Sequence, residues 1–141
     1  MKFITLLATI CLSFTTLFAQ ADKNTEQEQK TDKLVILWSS NDINLAERMV
    51  LMYSHYSKLS GWWKDVTIII WGPSAELVTN NQEIQKKITK MMKDGIKFQA
   101  CKVCSDLYKC SEDLVKLGVE VKYMGKPFTE YLKADAKVLT F

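Results

Sequence analysis

Apolar residues fall into two nearly uninterrupted blocks, Leu34-Val35-Ile36-Leu37-Trp38 and Val66-Thr67-Ile68-Ile69-Ile70-Trp71. A strand with one face in water alternates apolar and polar positions. Runs this continuous predict strands buried on both faces, as in the middle of a parallel sheet. Weaker strand patterns at 96–101, 119–123 and 137–140 bring the total to five. Between them the spacing turns helical. Asn41 and Asp42 can cap a helix over 43–59, and Ile84, Ile88, Met91 and Met92 form one stripe of a helix over 82–93, with Gly95 just past its end. Shorter helices are expected over 73–78, over 111–117 with Gly118 as the stop, and over 128–133. The alternation predicts an α/β fold, a three-layer sandwich around a five-stranded, mainly parallel sheet.

The helix over 43–59 carries two apolar stripes, Leu45, Met49, Met52, Tyr56 and Leu59 on one side and Ile43, Ala46, Val50 and Tyr53 on another. A helix lying on a sheet needs only one. The second stripe, with Trp62 and Trp63 just beyond the helix, is expected to be covered by another copy of the chain, which predicts a homo-oligomer.

Ahead of the first strand the pattern changes twice. Lys2 precedes an uncharged apolar run from Phe3 to Phe18 that ends in Ala19-Gln20-Ala21, the layout of a secretory signal peptide over 1–21. The run is shorter than the roughly 20 apolar residues a membrane span needs, so no membrane attachment is expected after cleavage. Acylation at Cys11 is disfavoured by the bulky Ile10 before it. Residues 22–32 contain no large apolar side chain and read as a flexible tether, leaving 33–141 as a single α/β domain. The expected location is outside the cytoplasm, periplasmic or secreted.

Charge excludes one class of partner. Of 19 basic residues Lys2 leaves with the leader, so 18 face 16 acidic ones, interspersed along the chain. No basic stripe is present to neutralise phosphates, and nucleic-acid binding is not expected.

Candidate chemistry centres on Ala100-Cys101-Lys102-Val103-Cys104, at the carboxyl end of the third strand, where open α/β sheets bind ligands. With Cys110 the spacing is C-x2-C-x5-C. Loss of Cys11 leaves three cysteines, an odd number, so one thiol stays unpaired within the chain. Three readings stand open. Cys101 is a nucleophilic or sulfur-carrying thiol at a loop-to-helix junction, its thiolate favoured by backbone N–H groups and by Lys102. Alternatively Cys101 and Cys104 form a redox disulfide, or both act with Cys110 as a structural staple or metal site. A bridge closing about four residues is worth about 2 kcal/mol and one closing about ten nearly 3, so a pure staple prefers Cys110 as the partner.

Other chemistries find less support. Structural zinc needs four ligands, and the lone histidine, His55, is remote in sequence; no metal is expected. His55 itself reads as a packed or half-exposed helix residue. A thioredoxin fold places its C-x-x-C after the first long strand, not the third. The loops Ser39-Ser40-Asn41-Asp42 and Gly72-Pro73-Ser74 are helix caps first and pocket walls second, so Ser40, Asn41, Gly72, Pro73 and Ser74 join Lys102 as candidate binding residues. Neither loop has the glycine spacing of a dinucleotide or phosphate loop, and no cofactor is expected. Serine-hydrolase and paired-carboxylate patterns are lacking.

Leu34 to Ser40 leading into a long helix, Ile68-Ile69-Ile70-Trp71-Gly72-Pro73-Ser74, the Ala100-Cys101-x-x-Cys104 run, Gly118-Val119-Glu120-Val121 and Lys137-Val138-Leu139-Thr140-Phe141 together resemble the DsrE/DsrF-like family over nearly the whole domain. The resemblance implies an α/β sandwich around a five-stranded parallel sheet and assembly as trimers or hexamers. It also implies a strand-end cysteine that accepts sulfur as a persulfide and passes it on, with sulfur donor and acceptor proteins as partners. Cys101 matches that cysteine by position, whereas Cys104 and Cys110 are outside the common pattern. The leader is a departure, because the sulfur-relay members work inside the cell. The expected function is sulfur transfer or thiol redox with Cys101 as acceptor and Cys104 or Cys110 as the resolving or disulfide partner. The competing expectation is a non-catalytic oligomeric binding module with structural cysteines.

Overall fold

The computed structural model describes residues 32–141; the expected leader and nearly all of the expected tether lie outside the described residues. Five strands, β1 (Lys33–Trp38), β2 (Asp65–Ile70), β3 (Lys97–Cys101), β4 (Glu120–Lys122) and β5 (Lys137–Thr140), form one sheet in the order β4-β3-β2-β1-β5. Every pairing is parallel. The two continuous apolar runs are the second and third strands from one edge, which is why neither face of them can be polar.

The strand order dictates the layers. From β1 to β4 the chain steps one strand at a time in the same direction, then returns across the sheet to place β5 beside β1. Right-handed crossovers put the first three connections on one face and the last on the other. The packing agrees. Leu34, Ile36, Trp38, Ile68, Ile70, Phe98 and Ala100 share a large core with helix residues Ala46, Val50, Ala75, Val78, Ile84, Ile88, Met91 and Leu114. The intervening strand residues Val35 and Ile69 point the other way, into a smaller cluster with Cys101, Met124, Phe128 and Tyr131. Among the described residues α7 (Gly125–Lys133) is the helix that crosses that second face, and none of its residues is buried.

The first-face helices are those the pattern predicts, with one addition. Asp42 caps α1 (Ile43–Leu45), its carboxylate accepting from the Asn44 and Leu45 amides at 2.7 and 3.2 Å. Asn81 caps α4 (Gln82–Lys93) by accepting from Ile84 N–H at 3.0 Å, and α3 (Ser74–Asn80) precedes it. Gly118, at φ 96°, closes α6 (Ser111–Leu117) in the left-handed region that glycine enters without strain. The addition is α5 (Lys102–Leu107), which holds both cysteines of the C-x-x-C unit at or near its start. Its N-cap, Cys101, makes no side-chain cap bond, so the usual sequence mark of a helix start is missing.

The oligomer-facing stripe of the first helix corrects the sequence expectation. Ile43, Ala46, Val50 and Tyr53 pack on the chain's own core, and Trp63 joins them. The other stripe is in solvent, with Met49, Met52, Tyr56 and Leu59 exposed, and Trp62 with them. A π-type turn over Ala46–Leu51 joins α1 to α2 (Met52–Leu59), and the inward stripe runs through it. Val50 and Leu51 are both buried in this wide turn, and one and two turns further on Ser54 and Ser57 are fully buried. Their hydroxyls bond back to the carbonyls of Val50 and Ser54, so small buried side chains leave no polar group unpaired where the helix lies close to the sheet.

Candidate functional site

The carboxyl ends of β1, β2 and β3 meet on one edge of the molecule. Cys101 is the last residue of β3 and, by parity along the strand, points with Gln99 to the second face. The chain then turns directly into α5, and one helical turn returns Cys104 to the same cluster as Cys101. The two thiols interact side chain to side chain. Cys101 is buried at 5% exposure, while Cys104 is only partly covered.

Gly72 reaches the pair from the β2 end. It sits at φ 64° in open space, and its backbone N–H donates to the Cys104 sulfur. Burial pushes the Cys104 thiol above its ordinary pKa and the neighbouring Cys101 adds to that, while the Gly72 amide works against them. Lys102, the cation the sequence offered for the thiolate, has partners of its own. Its ammonium is held by Asp106 at 2.6 Å, one helical turn on, and stands 5.9 Å from the Tyr123 ring.

Cys110 belongs elsewhere. It is buried in the first-face core, its pKa is raised by burial, and Thr79 is the hydrogen-bonding neighbour that offsets this. The three described cysteines are free thiols. Cys101 and Cys104 therefore share a cluster, and Cys110 lies in the other, which separates it from the role of resolving partner.

The remaining sequence candidates divide. Ser74 is fully buried and its hydroxyl donates to the Trp38 carbonyl at 2.6 Å, lies 3.1 Å from the Trp71 carbonyl, and accepts from the Trp71 amide at 3.0 Å. It pins the β1 and β2 ends together, which fixes the Gly72-Pro73 loop over the dithiol. Pro73 is exposed and precedes α3. Ser40 accepts from the Asp42 amide at 3.1 Å, and Asn41 is exposed, so both belong to the cap of the first helix rather than to the thiol pair. His55 bonds Asp94 at 2.6 Å between α2 and the end of α4, in the first-face layer and away from the thiols.

Three surface cavities among the described residues lie away from the thiols. One of about 540 Å³ is lined by residues including Gln85, Lys90 and Lys93, one of about 320 Å³ by residues including Met52 and His55, and one of about 420 Å³ by Lys102, Asp106 and Lys109 among others. None of these is lined by Cys101 or Cys104. What surrounds the pair instead is apolar, with Val35, Ile69, Trp71, Phe128 and Met124 in its cluster and Val103, Leu107 and Tyr123 exposed on α5 and after β4. Sequence reading found the cysteines but missed Met124 and Trp71, whose place beside them follows only from the way the strand ends converge.

No family model and no curated protein matches the chain. Among solved structures, the conserved protein of unknown function BT1422 from Bacteroides thetaiotaomicron is 41% identical, with a TM-score of 0.76, over 78% of this chain and 95% of that one. The protein of unknown function MTH1491 from Methanobacterium thermoautotrophicum is 17% identical, with a TM-score of 0.59, over 77% of this chain and 98% of that one. The ychN protein from E. coli is 15% identical, with a TM-score of 0.52, over 77% and 99%. At those last two identities the likeness is one of fold, an all-parallel five-stranded α/β sandwich.

Proposed function

The chain belongs to the same family as the BT1422 protein of Bacteroides thetaiotaomicron, and on that premise we propose that it is an exported DsrE-type thiol protein that takes up sulfur, or exchanges disulfides, at the Cys101–Cys104 pair. The observation that carries the reading is the contact between two free thiols at the strand ends, under the Gly72 amide and apart from the third cysteine.

The burial difference argues for an order of events that reverses the roles expected from sequence. An incoming sulfur meets Cys104 first, because Cys101 is covered. The Cys104 thiolate attacks the terminal sulfur of a persulfide donor, an S–S bond breaks, the donor leaves as its thiolate, and Cys104 carries the persulfide. The Cys101 thiolate then attacks the Cys104 sulfur, closing a Cys101–Cys104 disulfide and releasing hydrosulfide. The exposed Val103, Leu107 and Tyr123 offer a protein donor or acceptor an apolar surface beside the thiol.

The exposed stripe Met49, Met52, Tyr56 and Leu59 supports a homo-oligomer built through the first helix, in line with the trimers or hexamers of DsrE-like proteins. It equally supports the second reading, an oligomeric binding module whose thiols are structural.

Intact mass of the reduced chain before and after incubation with polysulfide separates the two. Gain of one sulfur atom, lost in Cys104→Ser, or conversion to a disulfide with loss of two hydrogens, fits the thiol reading. A chain that gains no sulfur and forms no disulfide is the binding module.

A further inference from the structure

The dithiol pocket has a composition that neither sulfur transfer nor disulfide exchange requires. Met124 is buried at 1% exposure in the same cluster as Cys101, and Cys104 packs against that cluster. The register explains the meeting. Cys101 pairs with Lys122, the last residue of β4, and the chain leaving that strand carries Met124 into the same cluster. Three sulfur-bearing side chains are thus brought to one apolar cluster by three different stretches of chain: the end of β3, the first turn of α5 and the segment after β4.

We propose that Cys101, Cys104 and Met124 form a binding site for a soft monovalent cation of the copper(I) class. Thiolate and thioether sulfur favour such ions over hard ones, and a d10 monovalent ion is content with two or three ligands. Cys104 packs against the cluster that holds Cys101, which places two thiols side by side for bonds to an ion at roughly the 2.3 Å typical of metal–thiolate bonds. The Gly72 N–H that donates to the Cys104 sulfur supplies the outer hydrogen bond that steadies a ligating sulfur. Val35, Ile69, Trp71 and Phe128 keep the site apolar. Zinc is disfavoured, because it wants four ligands and the described residues hold no cluster of three or more His, Cys, Asp and Glu side chains to supply them.

Binding is an exchange of protons for metal, with no change of oxidation state. One copper(I) ion enters, two S–H bonds break, two Cu–S bonds form and two protons leave to solvent, while the Met124 thioether donates a lone pair without losing anything. The site stands whether or not the same thiols carry sulfur, so it is tested separately.

The full chain, reduced and under inert gas, is titrated with copper(I) buffered by bicinchoninate, and the product is read by native mass and by thiol labelling. The expected result is one copper per chain with two protons lost, and protection of Cys101 and Cys104 but not of Cys110. Cys104→Ser should abolish competition with the chelator, and the volume-conserving Met124→Leu should weaken binding roughly tenfold, in the range typical of a supporting ligand. Cys110→Ser, the control that removes the thiol of the other core, should bind like the parent. Thermal melts without copper establish that each variant is folded. Failure of the parent chain to draw copper from the chelator, undiminished binding by folded Cys104→Ser, or equally tight zinc binding would overturn the site. Unchanged affinity in folded Met124→Leu would overturn the three-sulfur assignment.

Discussion

Ser74→Ala tests the clamp that fixes the loop above the thiols. The Ser74 hydroxyl is fully buried and engages the Trp38 carbonyl, the Trp71 carbonyl and the Trp71 amide. Truncation removes all three interactions, yet it leaves no donor stranded, because the Trp71 amide also donates to the Trp38 carbonyl at 2.9 Å. The cost is therefore that of a net hydrogen bond, about 1 kcal/mol, and not the roughly 3 kcal/mol that an orphaned buried group can impose. For a domain of this size that corresponds to a fall of about 4 °C in Tm. Urea unfolding of the reduced chain at neutral pH measures it, with an unchanged m value expected because the same surface is exposed on unfolding. A loss above about 3 kcal/mol would mean that the Trp71 amide depends on Ser74 after all, and no loss would mean that the clamp contributes nothing; either refutes the reasoning. The same variant loosens the Gly72 loop, so its Cys104 labelling rate should change while that of Cys110 does not.

Three further outcomes follow from the packing. Burial raises the Cys110 pKa, so the folded chain keeps that proton after the unfolded chain has lost its own; the stabilisation is full below the ordinary thiol range and is lost as pH rises through the native value. Urea midpoints measured from neutral to alkaline pH should fall in the parent and fall less steeply in Cys110→Ala, and identical slopes would contradict this origin. Met52→Lys, at a side chain 50% exposed, should leave monomer stability within about 0.5 kcal/mol but shift the species seen by light scattering toward smaller assemblies; an unchanged mass would remove this stripe as the interface. Leu114→Ala, at a fully buried position of the first-face core, should cost about 2–5 kcal/mol by chemical denaturation, and a loss under about 1 kcal/mol would contradict the packing described for α6.

Covalent order along the chain was enough to read most of the fold. Two continuous apolar runs state that their strands are buried on both faces, Asp42 marks a helix start, and Gly118 marks a stop, because each of these signals acts within a few residues. The position of Cys101 at a strand end was legible for the same reason. The helix over Lys102–Leu107 was not, since its start has no side-chain cap.

Tertiary structure decided what lies far apart in sequence or turns on a single residue of register. Which of the two apolar stripes of the first helix meets the sheet was decided by packing, since both have the same 3.6 period and the sequence pattern does not rank them. The sheet order placed Cys110 in one core and Cys101 with Cys104 in the other, although all three fall within ten residues. The course of the chain beyond β4 brought Met124 to the cluster that holds the thiols. Which cysteines can meet, and what surrounds them, is set by which face of the sheet each side chain enters, and that is a property of the assembled sheet rather than of any local run of residues.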